Sequence, residues 1–371
     1  MTTAEPGSTG PGSTGPRSTA GAGSGAGAAP APEVVTFGET MAAMRAAGPL
    51  RLGGPLHLSV AGAESNVAIG LARLGHRVSW AGRVGSDELG ALVLRTLRAE
   101  SVDVGHAVTD TSGRPTGLLI FEPRLGDLTR VSYYRAGSAG SAVAADDVLA
   151  ALALAPRVLH LTGITPALTP AAAVAVRAAA QSASQSGVMV CLDVNFRSRL
   201  WTAGQARAAL TPLLRFTDLL VASEDELPLV APGRTASQAD RGASEAEAGH
   251  PQAGETTGGA STLEETAAAL LAAGPSEVVI KRGAAGATAV SAAGAVHRPA
   301  RRVPVADLVG AGDAFVAGYL SGHLDGLEPA ERLDRAVSVA AFAIASRGDW
   351  EGLPTRDELA LLDAAEGATI R

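Results

Sequence analysis

The 371-residue chain contains one cysteine, one lysine and few aromatic residues, which make up 3% of it. A single cysteine excludes a disulfide framework, because such a framework needs paired thiols. Cys191 lies in the apolar run 188–192, so we predict a buried strand of a cytosolic protein, where burial raises a thiol pKa and disfavours a reactive nucleophile. Lys281 is the only lysine, and this compositional bias by itself indicates no function.

The sequence also lacks an excess of positive charge, a long apolar run and the common nucleotide-binding motifs. The formal net charge of −7 disfavours a general nucleic-acid binder, which needs clustered positive charge to displace phosphate counterions. No apolar run reaches the roughly 18 residues that cross a bilayer, so we expect no membrane partner and a cytoplasmic location. The chain has neither a P-loop nor a Gly-x-Gly-x-x-Gly turn after its first predicted strand.

Two stretches have almost no large apolar side chains. Residues 1–32 consist almost entirely of Gly, Ser, Thr, Pro and Ala without an apolar signal core, so we predict a disordered tail. Residues 232–261 are rich in small and polar residues, which indicates a flexible insertion. Residues 33–371 are predicted to form one domain that carries this insertion.

Short apolar segments alternate with helical patterns from residue 33 onward, which predicts an α/β fold with a mostly parallel central sheet and helices on both faces. Two regions, 41–60 and 115–135, break this rhythm, and the second contains two predicted strands, 116–121 and 129–134, joined at 123–127. These regions predict a small separate β layer. The elements predicted for the main layers are strands 34–37, 78–81, 157–161, 188–194, 218–222 and 277–281, and helices 64–74 and 87–99.

The segment 307–315, Asp-Leu-Val-Gly-Ala-Gly-Asp-Ala-Phe, places two glycines and a carboxylate at the start of a predicted helix. The first amides of a helix have no partner within it and attract anions, and Gly310 and Gly312 let the backbone approach a phosphate closely. Asp313 could accept a proton from an attacking hydroxyl. Taken alone, the segment also fits a tight turn followed by an acidic first helical turn.

Residues 307–315 resemble the C-terminal signature of the pfkB, or ribokinase-like, family of carbohydrate kinases, although Leu308 stands where that family often has Thr or Pro. The resemblance implies a three-layer ribokinase-like fold with a small β-strand lid that often pairs with another subunit, and hence a homodimer or higher homo-oligomer. It implies ATP and Mg²⁺ as cofactors and allows a monovalent cation, K⁺. It also implies that Asp313 is the catalytic base and that an anion hole is formed by the amides of Gly310, Ala311 and Gly312.

Residues 61–75 and 82–90 together resemble the N-terminal signature of the same family. That resemblance implies that Gly62, Ala63 and Asn66 bind sugar hydroxyls. Without it, the first segment is an ordinary turn into a helix, with Asn66 as a residue of the helix start.

Residues 132–139, Ser-Tyr-Tyr-Arg-Ala-Gly-Ser-Ala, bear on the substrate, because Tyr133 and Arg135 project from the same face of an extended chain. The guanidinium group can hold a carboxylate with two hydrogen bonds. The run resembles the 2-keto-3-deoxygluconate kinases of the family, which implies that Tyr133 and Arg135 contact the keto acid. The other interpretation is a lid strand whose arginine faces solvent.

Residues 193–197, Asp-Val-Asn-Phe-Arg, follow a predicted strand and resemble the Asp-x-Asn-x-Arg segment of the same kinases. The resemblance implies that Arg197 contacts the substrate carboxylate or the transferring phosphate, while Asp193 and Asn195 shape the loop. A local ion pair between Asp193 and Arg197 is the alternative.

Three further segments resemble the nucleotide side of these kinases. In residues 223–226, Ser223 stands where the family has Asn, and Glu226 is implied to organise Mg²⁺ and the phosphates. An acidic helix start is the other interpretation. The strand and turn at 278–287 and the adenine-pocket segment at 341–349 imply four more nucleotide-binding residues, namely Lys281, Gly283, Gly286 and Ser346.

Together these resemblances imply ATP-dependent phosphorylation of the terminal hydroxyl of 2-keto-3-deoxygluconate, with a sugar acid and ATP as the partners. Two alternatives stay open. One is a kinase for a neutral sugar such as fructose, ribose or a nucleoside. The other is a sugar-binding regulator without catalysis, which the departures at Leu308 and Ser223 keep in consideration.

Overall fold

The computed structural model describes residues 31–125, 128–232 and 259–363. Nearly all of the predicted N-terminal tail and of the predicted insertion at 232–261 therefore lies outside the described residues. The strands are β1 (Val34–Phe37), β2 (Met41–Ala46), β3 (Leu56–Ala61), β4 (Val78–Ala81), β5 (Arg83–Gly85), β6 (Val108–Asp110), β7 (Leu118–Leu125), β8 (Leu128–Tyr134), β9 (Val158–Thr162), β10 (Met189–Asp193), β11 (Leu219–Ser223), β12 (Glu277–Lys281), β13 (Ala287–Ser291) and β14 (Gly294–Arg298).

Most helices lie between these strands, as expected for βαβ units, and the last two follow β14. They are α1 (Ala63–Arg73), α2 (Glu88–Ala99), α3 (Ala145–Leu152), α4 (Thr165–Leu168), α5 (Pro170–Gln185), α6 (Ala203–Leu210), α7 (Leu227–Val230), α8 (Gly259–Ala272), α9 (Ala311–Leu324) and α10 (Pro329–Ile344). Within the described residues, no helix is both long and apolar enough to cross a membrane.

The central sheet has eight strands in the order β14-β13-β12-β11-β10-β9-β1-β4. Neighbours from β4 to β12 pair in parallel, whereas β12, β13 and β14 pair antiparallel. The aliphatic runs of β9, β10 and β11 are buried throughout most of their length, because helices cover both faces of the sheet.

Two hydrophobic cores enclose the sheet and produce three layers. One core joins one face of the sheet to α1, α2, α9 and α10, and includes Phe315 and Tyr319 of α9. The other core joins the opposite face to α3, α5, α6 and α8. Cys191 is buried and unpaired as predicted, and burial raises its pKa far above the ordinary value. The predicted three-layer α/β architecture is confirmed.

A separate four-stranded sheet, which we call the small sheet, has the order β3-β2-β7-β8. Its inner face packs Met41, Leu119 and Phe121 together with Val309, the residue before the predicted anion hole. Strand β7 runs on to Leu125, so the predicted connection at 123–127 began too early. An irregularity in register between Pro123 and Leu125 accommodates the proline, which cannot donate a ladder hydrogen bond.

Candidate active site

The predicted site residues meet at the carboxyl edge of the central sheet, where open α/β sheets bind ligands. Asp193, Ser223 and Lys281 are the last residues of β10, β11 and β12, which are neighbouring parallel strands. Helix α9 begins beside them and carries Asp313 in its first turn. The parallel order of the sheet thus places side chains from distant parts of the sequence around one helix N-terminus.

Asp313 is a buried carboxylate held by two amide side chains. Asn66 donates a hydrogen bond from Nδ2 to Oδ2 of Asp313 at 2.8 Å, and Asn195 donates from Nδ2 to Oδ1 at 3.3 Å. Burial raises the pKa of Asp313 to about 6, although the hydrogen bond from Asn66 lowers it. The carboxylate is therefore ionised at neutral pH and remains a stronger base than an exposed aspartate.

The sequence predicted that Asn66 binds a sugar hydroxyl. It did not predict the hydrogen bond from Asn66 to Asp313. The Oδ1 of Asn66 is buried and has no hydrogen-bond partner among the described residues. An acceptor beside a base is suited to receive a hydrogen bond from a hydroxyl donor.

The backbone before Asp313 forms an open cradle at the start of α9. Gly310 caps the helix in the left-handed region, with φ of 77°, and a Cβ at this position would overlap the backbone oxygen of Asp349. As members of the first turn, Gly312 and Asp313 have no intrahelical partner for their amides. Around Gly312, the nearest atom that an added Cβ would meet is the Nζ of Lys281, at 3.6 Å.

Lys281, the single lysine of the chain, lies at this cradle and pairs with Asp193. Its Nζ is 2.9 Å from Oδ1 and 3.0 Å from Oδ2 of Asp193. Burial lowers the pKa of Lys281, but the attraction of Asp193 and Glu226 more than offsets this effect and leaves the pKa raised. The ammonium group therefore stays charged next to the helix N-terminus, where an anion would bind.

The alternative ion pair between Asp193 and Arg197 is wrong, because Lys281 takes the carboxylate of Asp193. Arg197 is exposed, and its Nη1 donates to the backbone oxygen of Phe196 at 3.0 Å. Its charge nevertheless lowers the pKa of Asp313, which places Arg197 within electrostatic reach of the carboxylate.

Tyr133 and Arg135 lie together on β8 and just after it, as the strand alternation predicts. The guanidinium carbon of Arg135 is 5.8 Å from the centre of the Tyr133 ring. The Nε of Arg135 also donates to Oε2 of Glu39 at 2.7 Å, and Glu39 accepts a second hydrogen bond from the hydroxyl of Ser138. Glu39 thus orients the arginine and neutralises part of its charge.

Sequence reasoning missed Glu39 and Glu64. Glu39 lies two residues after the end of β1, so its position at the carboxyl edge of a buried strand was an available signal. Glu64 is buried in the first turn of α1, where burial raises its pKa while hydroxyls of Thr162 and Thr165 each donate to it at 2.7 Å. Gly62 and Ala63, which were predicted to bind sugar, precede Glu64 at this turn.

The carboxylate of Glu226 links two loops by hydrogen bonds. Its Oε1 accepts from the backbone amide of Phe196 at 2.7 Å, and its Oε2 accepts from the amide of Ser223 at 2.8 Å. The described residues contain no group of three or more His, Cys, Asp or Glu side chains able to hold a metal ion. Each oxygen of Glu226 keeps a further lone pair, so the carboxylate fits a contact to a hydrated Mg²⁺, which needs few protein ligands.

The remaining predicted nucleotide residues form two separate loops. Gly283 and Gly286 both have positive φ, of 54° and 95°, in a turn closed by a 2.8 Å hydrogen bond from the amide of Arg282 to the oxygen of Gly286. Ser346 follows α10, its amide donates to the oxygen of Ala343 at 3.2 Å, and its side chain lies against Gly352. Of these loops, the first adjoins Lys281 directly in sequence.

A model of the pfkB family carbohydrate kinases matches residues 31–356, which is most of the chain. The chain belongs to this family. The predicted resemblance is therefore confirmed.

Two relatives resemble this pfkB kinase over most of its length. A 2-dehydro-3-deoxygluconokinase of Bacillus subtilis strain 168 is 34% identical over 338 residues, which cover 90% of this chain and 96% of the relative. A 2-dehydro-3-deoxygluconokinase of Thermoproteus tenax is 34% identical over 331 residues, which cover 88% of this chain and 92% of the relative.

Solved structures share the fold of this pfkB kinase. A PfkB protein from Polaromonas sp. JS666 is 34% identical and has a TM-score of 0.73. The superposition covers 90% of this chain and all of the other. A putative Ribokinase II from Escherichia coli, solved in complex with ATP and Mg²⁺, has a TM-score of 0.75 over 90% of this chain and 99% of the other. At 23% identity, the second structure supports the fold alone.

Proposed function

We propose that this pfkB kinase transfers the terminal phosphoryl group of ATP to the terminal hydroxyl of 2-keto-3-deoxygluconate, giving 2-keto-3-deoxy-6-phosphogluconate. The observation that carries the proposal is the buried Asp313 carboxylate at an open helix N-terminus, with Lys281 beside it. The substrate follows from the two relatives with 34% identity, because 2-dehydro-3-deoxygluconate is another name for the same sugar acid.

In the proposed mechanism Asp313 accepts the proton of the sugar hydroxyl as its oxygen attacks the terminal phosphorus of ATP. The bond between that phosphorus and the bridging oxygen breaks, and ADP leaves with the electron pair. The amides of Gly310, Ala311 and Gly312 stabilise the charge on the transferring phosphoryl oxygens. Since phosphoryl transfer depends mainly on positioning and electrostatics, a fixed base and a fixed cradle are the features that the reaction needs.

The cofactors of the proposed reaction are ATP and Mg²⁺. Lys281 would contact the transferring phosphate, because its ammonium group adjoins Gly312. The turn at Gly283 and Gly286 and the loop at Ser346 would border the nucleotide. Glu226 and Ser223 would lie at the loop that holds Mg²⁺, and the bound ion would neutralise charge on the nucleotide phosphates.

Two arginines and a tyrosine would select an acid sugar. Arg135 is oriented by Glu39 and lies against Tyr133, so its guanidinium is held before the substrate arrives. Arg197 has no carboxylate partner among the ion pairs of the described residues and would supply the uncompensated positive charge. Gly62, Ala63 and Asn66 would contact the sugar hydroxyls. A kinase for neutral sugars has no need of this pair of guanidinium groups.

We further propose a homodimer, or a higher homo-oligomer, that forms through the outer face of the small sheet. Leu56, Leu58 and Tyr134 lie on that face with exposed fractions of 45%, 45% and 61%. Exposed apolar side chains grouped on one sheet face are typical of protein interfaces. The proposed location is the cytoplasm, which supplies ATP.

The test of the proposed substrate is ADP release with Mg-ATP and either 2-keto-3-deoxygluconate, fructose or ribose at equal concentration. We expect preference for the keto acid. Replacing Arg135 with alanine should raise its KM by roughly 10- to 100-fold, because a charged hydrogen-bonded contact is lost, and should leave KM for a neutral sugar unchanged. Arg130→Ala is the matched control, since Arg130 lies on the same strand with its side chain on the opposite face.

Preference of the wild-type protein for fructose or ribose would support the kinase function but contradict the proposed substrate. No ADP release with any of the three sugars would favour the regulator without catalysis.

A further inference from the structure

Arg45 on β2 lies between two carboxylates that border the phosphate cradle. Its Nη1 is 3.0 Å from Oδ2 of Asp307, and its Nη2 donates to Oδ1 of Asp349. The guanidinium carbon also lies 4.0 Å from the centre of the Phe121 ring. Only one-fifth of the Arg45 side chain is exposed, so these contacts hold the guanidinium in one place.

Both carboxylates belong to segments that set the backbone of the cradle. Asp307 accepts a hydrogen bond from the amide of Val309 at 3.1 Å, and Val309 immediately precedes Gly310. The backbone of Asp349 packs so closely on Gly310 that no side chain fits at that position. A change at either carboxylate therefore moves the amides that would face the transferring phosphate.

Two carboxylates without a cation would also repel that phosphate. Asp349 is the more buried of the two, and burial raises its pKa to about 7, while the attraction of Arg45 lowers it. A cation between these groups cancels their repulsion of an incoming anion. A bound monovalent cation could perform the same task, but the guanidinium of Arg45 occupies the position between the two carboxylates.

We propose that Arg45 is a positioning residue that acts as a built-in cation beside the anion cradle and makes this kinase independent of added K⁺. The role belongs to the small sheet, because Arg45 lies on the same inner face as Phe121 and links that face to the cradle. This inference rests on the proposed kinase function, since it concerns the same phosphoryl-transfer site.

The test measures ADP release in KCl and in choline chloride at equal ionic strength, with whichever sugar the wild-type protein phosphorylates best. We expect the wild-type rate to be the same in both salts. Arg45→Ala should lower kcat in choline chloride by about 10- to 100-fold, with KM for the sugar little changed, because the lost charge acts on the transferring phosphate. Addition of K⁺ or of guanidinium ion at low concentration should restore much of the lost kcat of Arg45→Ala.

Two further variants separate this role from a structural one. Arg45→Lys keeps a positive charge and should retain more activity in choline chloride than Arg45→Ala, and it serves as the test if the alanine variant does not fold. Arg51→Ala removes an exposed arginine nearby and should behave as the wild type in both salts.

Strong activation of the wild-type protein by K⁺ would overturn the inference, as would an unchanged kcat in Arg45→Ala or a loss that no cation restores. Failure of the proposed function is a distinct result, because the wild-type protein would then release no ADP in either salt with any sugar.

Discussion

At the scale of single residues, the chemistry of the candidate site depends on a carboxylate whose basicity is set by its surroundings. Asp313 is buried, and burial raises its pKa to about 6. The opposing influence of the Asn66 hydrogen bond prevents a larger rise. A general base works best when its pKa lies near the working pH while it is still ionised, and Asp313 satisfies both conditions.

The pH dependence of kcat/KM follows from this pKa. Asp313 must be ionised to accept a proton, so kcat/KM should be level at neutral pH and fall about tenfold per pH unit below pH 6. Asn66→Ala removes a hydrogen bond that lowers the pKa, so the acidic limb should move to higher pH. Ser65→Ala, which alters the neighbouring residue, should leave it in place. Measured pH–rate profiles that place the wild-type limb near 4 would contradict this account of Asp313.

At the scale of secondary-structure elements, the periodicity of the sequence predicted what local patterns can determine. Helix α9 begins at Ala311, within the segment 307–315 that was predicted to contain a helix start. The parallel strands were recognisable because strands covered on both faces need continuous aliphatic runs. The extent of β7 was not recognisable from the sequence, because Pro123 favours a turn. The register irregularity that accommodates this proline depends on pairing with β8.

The partners of the charged side chains could not be predicted from local patterns, because they join elements far apart in sequence. Lys281 pairs with Asp193, 88 positions away, whereas sequence proximity had favoured Arg197 as the alternative partner of Asp193. Arg135 pairs with Glu39, 96 positions away. The order of strands in the sheet decides such pairs. Periodicity indicates that strands exist but not which strands are neighbours.

At the scale of the whole molecule, the small sheet has one packed face and one exposed face. Its inner face packs on the cradle through Phe121 and Val309 and carries Arg45. Its outer face exposes Leu56 and Leu58. The same four strands would therefore close the site on one side and join subunits on the other, so assembly and catalysis would share one element.

The outer face should determine the oligomeric state. Replacing both Leu56 and Leu58 with glutamate places charge in the proposed apolar interface, and we expect the molar mass from light scattering to fall to that of the monomer. Val174→Glu is the control, because Val174 is 68% exposed on α5, away from the small sheet, and its variant should keep the wild-type mass. A wild-type protein that is monomeric at all concentrations would contradict the proposed assembly.

The central claim is that this pfkB kinase uses Asp313 as its base, and the most direct measurement compares Asp313→Asn with the wild type in both turnover and ATP binding. The amide has nearly the same shape but cannot accept the proton at neutral pH. We predict that ADP release with the preferred sugar falls by roughly two to four orders of magnitude, while the Kd for Mg-ATP stays within about threefold of the wild-type value. Turnover at the wild-type rate in Asp313→Asn would contradict the account.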